Sequence, residues 1–146
     1  MIDPLERFEA EHEDALAELN SLEVAALALE AGPSDEHFEM IRRVHGALAG
    51  AVREHNENEE LALFPLLGEA APTEPFVEDH GALRALEREL IDAVERRDAD
   101  EAASLSLTIV EKLRDHIERE NTVLFPMARE ILGAEGLLEV ARRLEA

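Results

Sequence analysis

The segment HNENEELALFP, residues 55–65, returns as HIERENTVLFP, residues 116–126. Each copy places a histidine four residues before a glutamate, and each closes on Leu-Phe-Pro. Positions i and i+4 share one face of a helix, so His55 and Glu59, and likewise His116 and Glu120, point the same way when their segments are helical. A chain that carries this pattern twice must either leave both polar faces in water or bring them together in a shared interior. The surrounding apolar residues favour the interior.

Those residues recur at helical spacing along nearly the whole chain. Asp3-Pro4 reads as a cap followed by a proline at the first helical position. Leu5, Phe8, Leu16, Leu19, Leu22, Ala26 and Leu29 then mark one face until Gly32-Pro33 stops the helix. Ser34 caps a long second helix through Ile41, Val44, Leu48, Val52 and Leu63. Its Gly46 and Gly50 weaken it, which suggests a closely approaching neighbour. Pro65 disturbs its last turns and Gly68 to Pro72 is a linker. A third helix is expected from Glu74 to about Arg97. A fourth, capped by Asp98, carries Leu105, Ile109, Leu113, Val123 and Leu124, and each Leu-Phe-Pro reads as core packing followed by a helix stop. Beyond Gly133, GLLEVARRLEA has the pattern of a short amphipathic C-terminal helix.

No segment alternates in the manner of a strand, and the connections are short. The expectation is an all-α chain forming an antiparallel up-down-up-down four-helix bundle. Residues 1–146 read as one domain. FEAEH at 8–12 is echoed by FVEDH at 76–80, so the helix pairs at about 3–67 and 74–126 form an approximate internal duplication.

Composition narrows the chemistry. There is no cysteine, which removes disulfides and thiolate metal ligands. Thirty-five acidic residues against fourteen basic ones leave a formal charge of −21, a field that repels nucleic acid and anionic membrane surfaces. No apolar run approaches a membrane span, and MIDPLERFEAEHED lacks the regions of a signal peptide, so a cytoplasmic protein is expected. No glycine-rich phosphate loop and no basic patch with interleaved aromatics occurs.

His12 and His80 hold matching places in the other two helices, with Phe8 and Phe76 one turn earlier. Four imidazoles and two carboxylates would thus converge from four helices: His12, His55, Glu59, His80, His116 and Glu120. A lone HxxxE is usually an ordinary polar pair. Two unpaired buried glutamates are costly, however, and buried charges generally need a partner or a metal. Six ligands suit two metals better than one, with His12 and His55 at one ion, His80 and His116 at the other, and Glu59 and Glu120 bridging. Imidazole with carboxylate suits non-haem iron, with zinc and manganese acceptable substitutes. Glu9 and His12 have the ExxH spacing of a ferritin-type site, but the second copy that architecture needs is missing. His37 and His45 read as surface or outer-layer histidines. Glu57, Asn58, Glu60, Glu118, Arg119 and Asn121 read as solvent-facing, and carboxylates that hold the imidazoles are the lesser alternative.

From His12 through the second Leu-Phe-Pro, the chain resembles the bacterial hemerythrin-like family, named for a His-His-Glu signature. That resemblance assigns His55, Glu59, His116 and Glu120 to a carboxylate-bridged non-haem di-iron centre, with His12 and His80 as the isolated histidines. It implies O2 binding or sensing, or a response to peroxide or nitric oxide, with peroxide breakdown as the enzymatic form. Oxygen-carrying members have an HxxxH pair on the third helix. Here His80 has Phe76 and Arg84 at those positions, which counts against reversible carriage. A non-catalytic metal-storage or regulatory module, meeting a protein partner through its acidic exterior, is the alternative.

Overall fold

The computed structural model describes residues 3–146. Its helix starts follow from local chemistry. Asp3 Oδ1 accepts a hydrogen bond from Leu5 N at 2.8 Å, and Pro4 opens α1 (Pro4–Ala31). Ser34 Oγ accepts from His37 N at 3.2 Å to start α2 (Asp35–Asn58). Asp98 accepts from Glu101 N at 3.1 Å and starts α5 (Ala99–Arg119). Between them α4 (Glu74–Glu95) carries Pro75 in its first turn, where a missing N–H costs nothing.

The Leu-Phe-Pro segments do not stop their helices as expected from sequence. Each proline instead sits in the first turn of a helix that resumes after a π-helical turn. Glu59–Leu63 is the first such turn, closed by Phe64 N bonding to Glu59 O, and α3 (Phe64–Leu67) follows. Glu120–Leu124 is the second, closed by Phe125 N bonding to Glu120 O, and leads into α6 (Phe125–Glu145). Pro65 and Pro126 lack an N–H and crowd the carbonyl four residues back, so the hydrogen-bond ladder widens just ahead of each ring. Gly68 ends α3 with φ of 52° and leads into a 3-10 turn, Gly68–Ala70.

Helices α1, α2, α4 and α5 form the four-helix bundle. Around the ring, α1 packs on α2 and α5, and α4 packs on α5 and, more loosely, on α2. Its apolar interior falls into two clusters. One runs along most of the bundle and includes Leu19, Leu22, Phe38, Ile41, Leu90 and Ile109. The other gathers Leu5, Phe8, Leu63, Phe64, Phe76, Leu124 and Phe125 at the π-turn end. Helix α6 bends at Gly133 (φ 60°, ψ −170°), and its second half buries Val140 in that second cluster. Between the two clusters lies a polar layer.

Gly46 and Gly50 differ from expectation. No neighbouring atom comes within 4 Å of where a Cβ would stand at either position, so neither glycine makes room for a helix of this chain.

Candidate metal centre

Each side of the polar layer is supplied by a helix and its π turn. His12 comes from α1, His55 from the end of α2 and Glu59 from the first residue of the turn that follows. His80 comes from α4, His116 from α5 and Glu120 from the second π turn. All six are buried, with Glu59, His80 and Glu120 at 0% exposure. His12, His55, Glu59 and Glu120 bring ligand atoms within 4.8 Å of one another, and so do Glu59, His80, His116 and Glu120. The two clusters share both carboxylates. They are geometrically suited to hold a pair of metal ions.

The imidazoles present Nε2 inward. His12 Nε2 lies 2.9 Å from Glu120 Oε1 and 3.1 Å from His55 Nε2. His80 Nε2 stands 3.4 Å from Glu59 Oε1, and His116 Nε2 3.6 Å from Glu120 Oε2. On the outer side, Nδ1 of His12 donates to Asn121 Oδ1 at 2.7 Å, and Nδ1 of His55 to Glu11 at 2.8 Å. Nδ1 of His116 donates to Asp79 at 3.0 Å, and Asp79 is also held by Arg119. Glu60 stands 3.5 Å from His80 Nδ1 without a hydrogen bond, and its charge only partly offsets the burial that keeps this ring neutral. An Nδ1–H that donates outward leaves the Nε2 lone pair facing inward, the tautomer a metal requires.

Aromatic rings complete the enclosure with the same twofold logic. Phe8 meets His55 edge-on at 5.1 Å and Phe76 meets His116 edge-on at 5.6 Å. Phe125 stacks on His12 at 5.4 Å and Phe64 on His80 at 6.1 Å. The phenylalanine of each Leu-Phe-Pro thus covers a histidine of the opposite half.

The residues present fit a cation. Both oxygens of Glu59, Nε2 of His80 and His116, and Oε2 of Glu120 are buried without a hydrogen-bond partner. Orphaned groups of this kind are expensive in a protein interior. The inward lone pairs of His12 and His55, 3.1 Å apart, repel unless a proton or a cation lies between them. Without a metal, protons take that part. Burial would lower the His55 pKa, but Glu11, Glu120 and Glu59 push it up to about 11. Burial opposes a charge on His116 too, yet Glu120 and Asp79 raise its pKa. Burial and then the His116 charge lower His80 to about 4. The glutamate pair divides: burial and the Glu120 charge push Glu59 well up, while hydrogen bonds outweigh burial and hold Glu120 well down.

The hemerythrin HHE cation-binding domain matches residues 3–128, which span the polar layer and all four bundle helices. The chain belongs to that family. No curated protein and no solved structure gives a match. All six residues predicted from sequence are brought together in this HHE domain.

Four outer contacts were missed or assigned to solvent. Glu11 and Asp79 each immediately precede a predicted histidine, while Glu60 and Asn121 each immediately follow a predicted glutamate. That repeated placement is the signal that could have found them. Asn58, Glu60, Arg119 and Asn121 are half-buried rather than solvent-facing; at the start of the π turns, Glu60 stands against His80, Arg119 against Asp79 and Asn121 against His12. Glu57 and Glu118 are exposed as expected. His37 turns onto the Gly32 carbonyl at the α1–α2 junction. His45 is neither at the surface nor against the polar layer: it is 4% exposed and faces a groove between α2 and α4.

Proposed function

We propose that this HHE domain is a non-haem di-iron protein that binds or reacts with O2, peroxide or nitric oxide. The observation that carries the reading is the pair of His-His-Glu-Glu clusters sharing Glu59 and Glu120. His12 and His55 would hold one iron, His80 and His116 the other, and the two glutamates would bridge. When bound, iron supplies changes of oxidation state and affinity for small oxidants. Mixed imidazole and carboxylate ligation also admits zinc or manganese.

The chain's own residues orient and shield the site. Glu11, Asp79 and Asn121 fix three imidazoles in the inward-facing tautomer. A cavity of about 230 Å³ between α1, α2 and α5 reaches His12, His55, His116 and Glu120. Ala15, Ala51, Val52, Leu113 and Ile117 give it largely apolar walls, which suit a small uncharged molecule better than an ion. Glu11, Asp14 and Glu54 also line it.

The test joins metal analysis to transient spectroscopy. Protein from iron-supplemented cells should hold two irons per chain, and Glu59→Ala should lose most of that metal. Stopped-flow mixing of the reduced protein with O2, peroxide and nitric oxide separates a reversible adduct from turnover. Inertness towards all three would overturn the redox reading and leave a storage or regulatory module.

A further inference from the structure

The loosest seam of the bundle is the one between α2 and α4, and it opens into a cavity of about 650 Å³. That volume lies within the range of small-molecule sites. None of the six residues of the polar layer lines it. On its α2 side Arg42, Gly46, Gly50 and Arg53 follow one another at helical spacing, and Leu90, Ile91 and Val94 form the α4 side. Glycine inside a helix is unfavourable relative to alanine and usually makes room for something. Here both glycines are exposed and no neighbouring atom comes within 4 Å of where a Cβ would stand.

Two further observations point to a ligand rather than to loose packing. His45 lines the cavity while only 4% exposed, and its Nε2 is buried with no hydrogen-bond partner. Burial holds its pKa below the usual value, so the ring is neutral and Nε2 can donate or accept. The second observation is charge. On a chain of −21, this groove is lined by three guanidinium groups against two carboxylates, Glu39 and Glu95. Glu39 and Asp35 pair with Arg42 and Arg97, whereas Arg53 has no ion-pair partner within 4.0 Å among the described residues and is attracted at longer range by Glu87.

We propose that the α2–α4 groove binds a small amphipathic organic anion, a monocarboxylate with an extended apolar chain. Its carboxylate meets Arg53, and its chain lies over Gly46 and Gly50 against Leu90, Ile91 and Val94. Ile91, 51% exposed on the free protein, is covered by the bound chain. A second copy of the protein is the poorer occupant, because two chains of −21 repel one another.

Calorimetric titration of the full-length, metal-loaded protein with decanoate tests this, with decyltrimethylammonium as the probe of opposite charge. Decanoate should saturate one site per chain and the cation should not bind. Arg53→Gln should weaken decanoate about tenfold, and Gly50→Leu, which fills the groove, should abolish saturable binding without changing metal content. If Gly50→Leu fails to fold, the Gly46→Ala/Gly50→Ala double variant takes its place and should weaken binding several-fold. No saturable decanoate binding, equal binding of the cation, or affinity unmoved by either groove substitution would overturn the proposal. A concentration-dependent dimer that Gly50→Leu dissolves would also overturn it and assign the groove to a second copy.

Discussion

Both oxygens of Glu59 are buried without a hydrogen-bond partner, and burial and then the Glu120 charge oppose its ionisation. Removing that carboxyl should have opposite effects on the metal-free and metal-loaded protein. Glu59→Gln should raise the metal-free stability by about 1–4 kcal/mol, because a buried ionisable group is replaced by a neutral one of similar shape. Metal affinity should fall sharply in the same variant, and chemical denaturation with and without metal measures both effects. His45 supplies a separate pH effect. Its folded pKa lies below 6.5, so the unfolded chain takes up its proton first as pH falls. The stability from neutral His45 is therefore present above about pH 6.5 and lost as pH drops through the lower folded value. Metal-free His45→Leu should show a shallower fall in stability than the parent between about pH 7 and pH 5, followed by urea denaturation. The six residues of the polar layer were legible in the sequence because i, i+4 spacing and duplication fix helix faces. Asn121 was not, because its contact with His12 spans 109 residues and depends on the π turn.

At the scale of elements, glycines separate two kinds of vacant space. Gly46→Ala and Gly50→Ala meet no neighbour and should each stabilise the free protein by about 0.5–1 kcal/mol, raising Tm by a few degrees. Gly133→Ala should do the opposite, costing about 1–3 kcal/mol, because φ 60° with ψ −170° is a conformation that side chains resist. Gly136→Ala would also bring a Cβ within 2.5 Å of the Leu132 Cβ. Thermal melts of the four single variants give the signs directly. The helix starts at Asp3, Ser34 and Asp98 were readable because capping is local. The passage of both helices through Pro65 and Pro126 was not. A proline announces a broken α ladder, but burial of Phe64 and Phe125 over the opposite histidines decides that the helix continues.

For the whole molecule, metal binding and protonation compete for the same interior. In the metal-free chain His55 has its pKa pushed up to about 11, and His116 and Glu59 are also raised. His55 protonation stabilises the metal-free fold fully below about pH 6.5, and that contribution is lost as pH rises towards the folded value. Metal ligation requires all three groups without their protons, so affinity should increase with pH over the range where that stability declines. Filling both clusters near neutral pH should release protons, that of His55 among them. Titration of the metal-free protein with ferrous iron, in weakly buffered solution with a pH indicator, counts them. Calorimetry in buffers of different ionisation heat provides an independent count. Metal binding should also raise Tm, since the six converging groups are brought together only in the folded chain. Release near zero with full metal occupancy would mean that the ions bind on the acidic exterior, where carboxylates are already ionised. Glu120→Ala distinguishes the two locations: it should remove both the proton release and the rise in Tm if the ions occupy the shared clusters, and leave both unchanged if they do not.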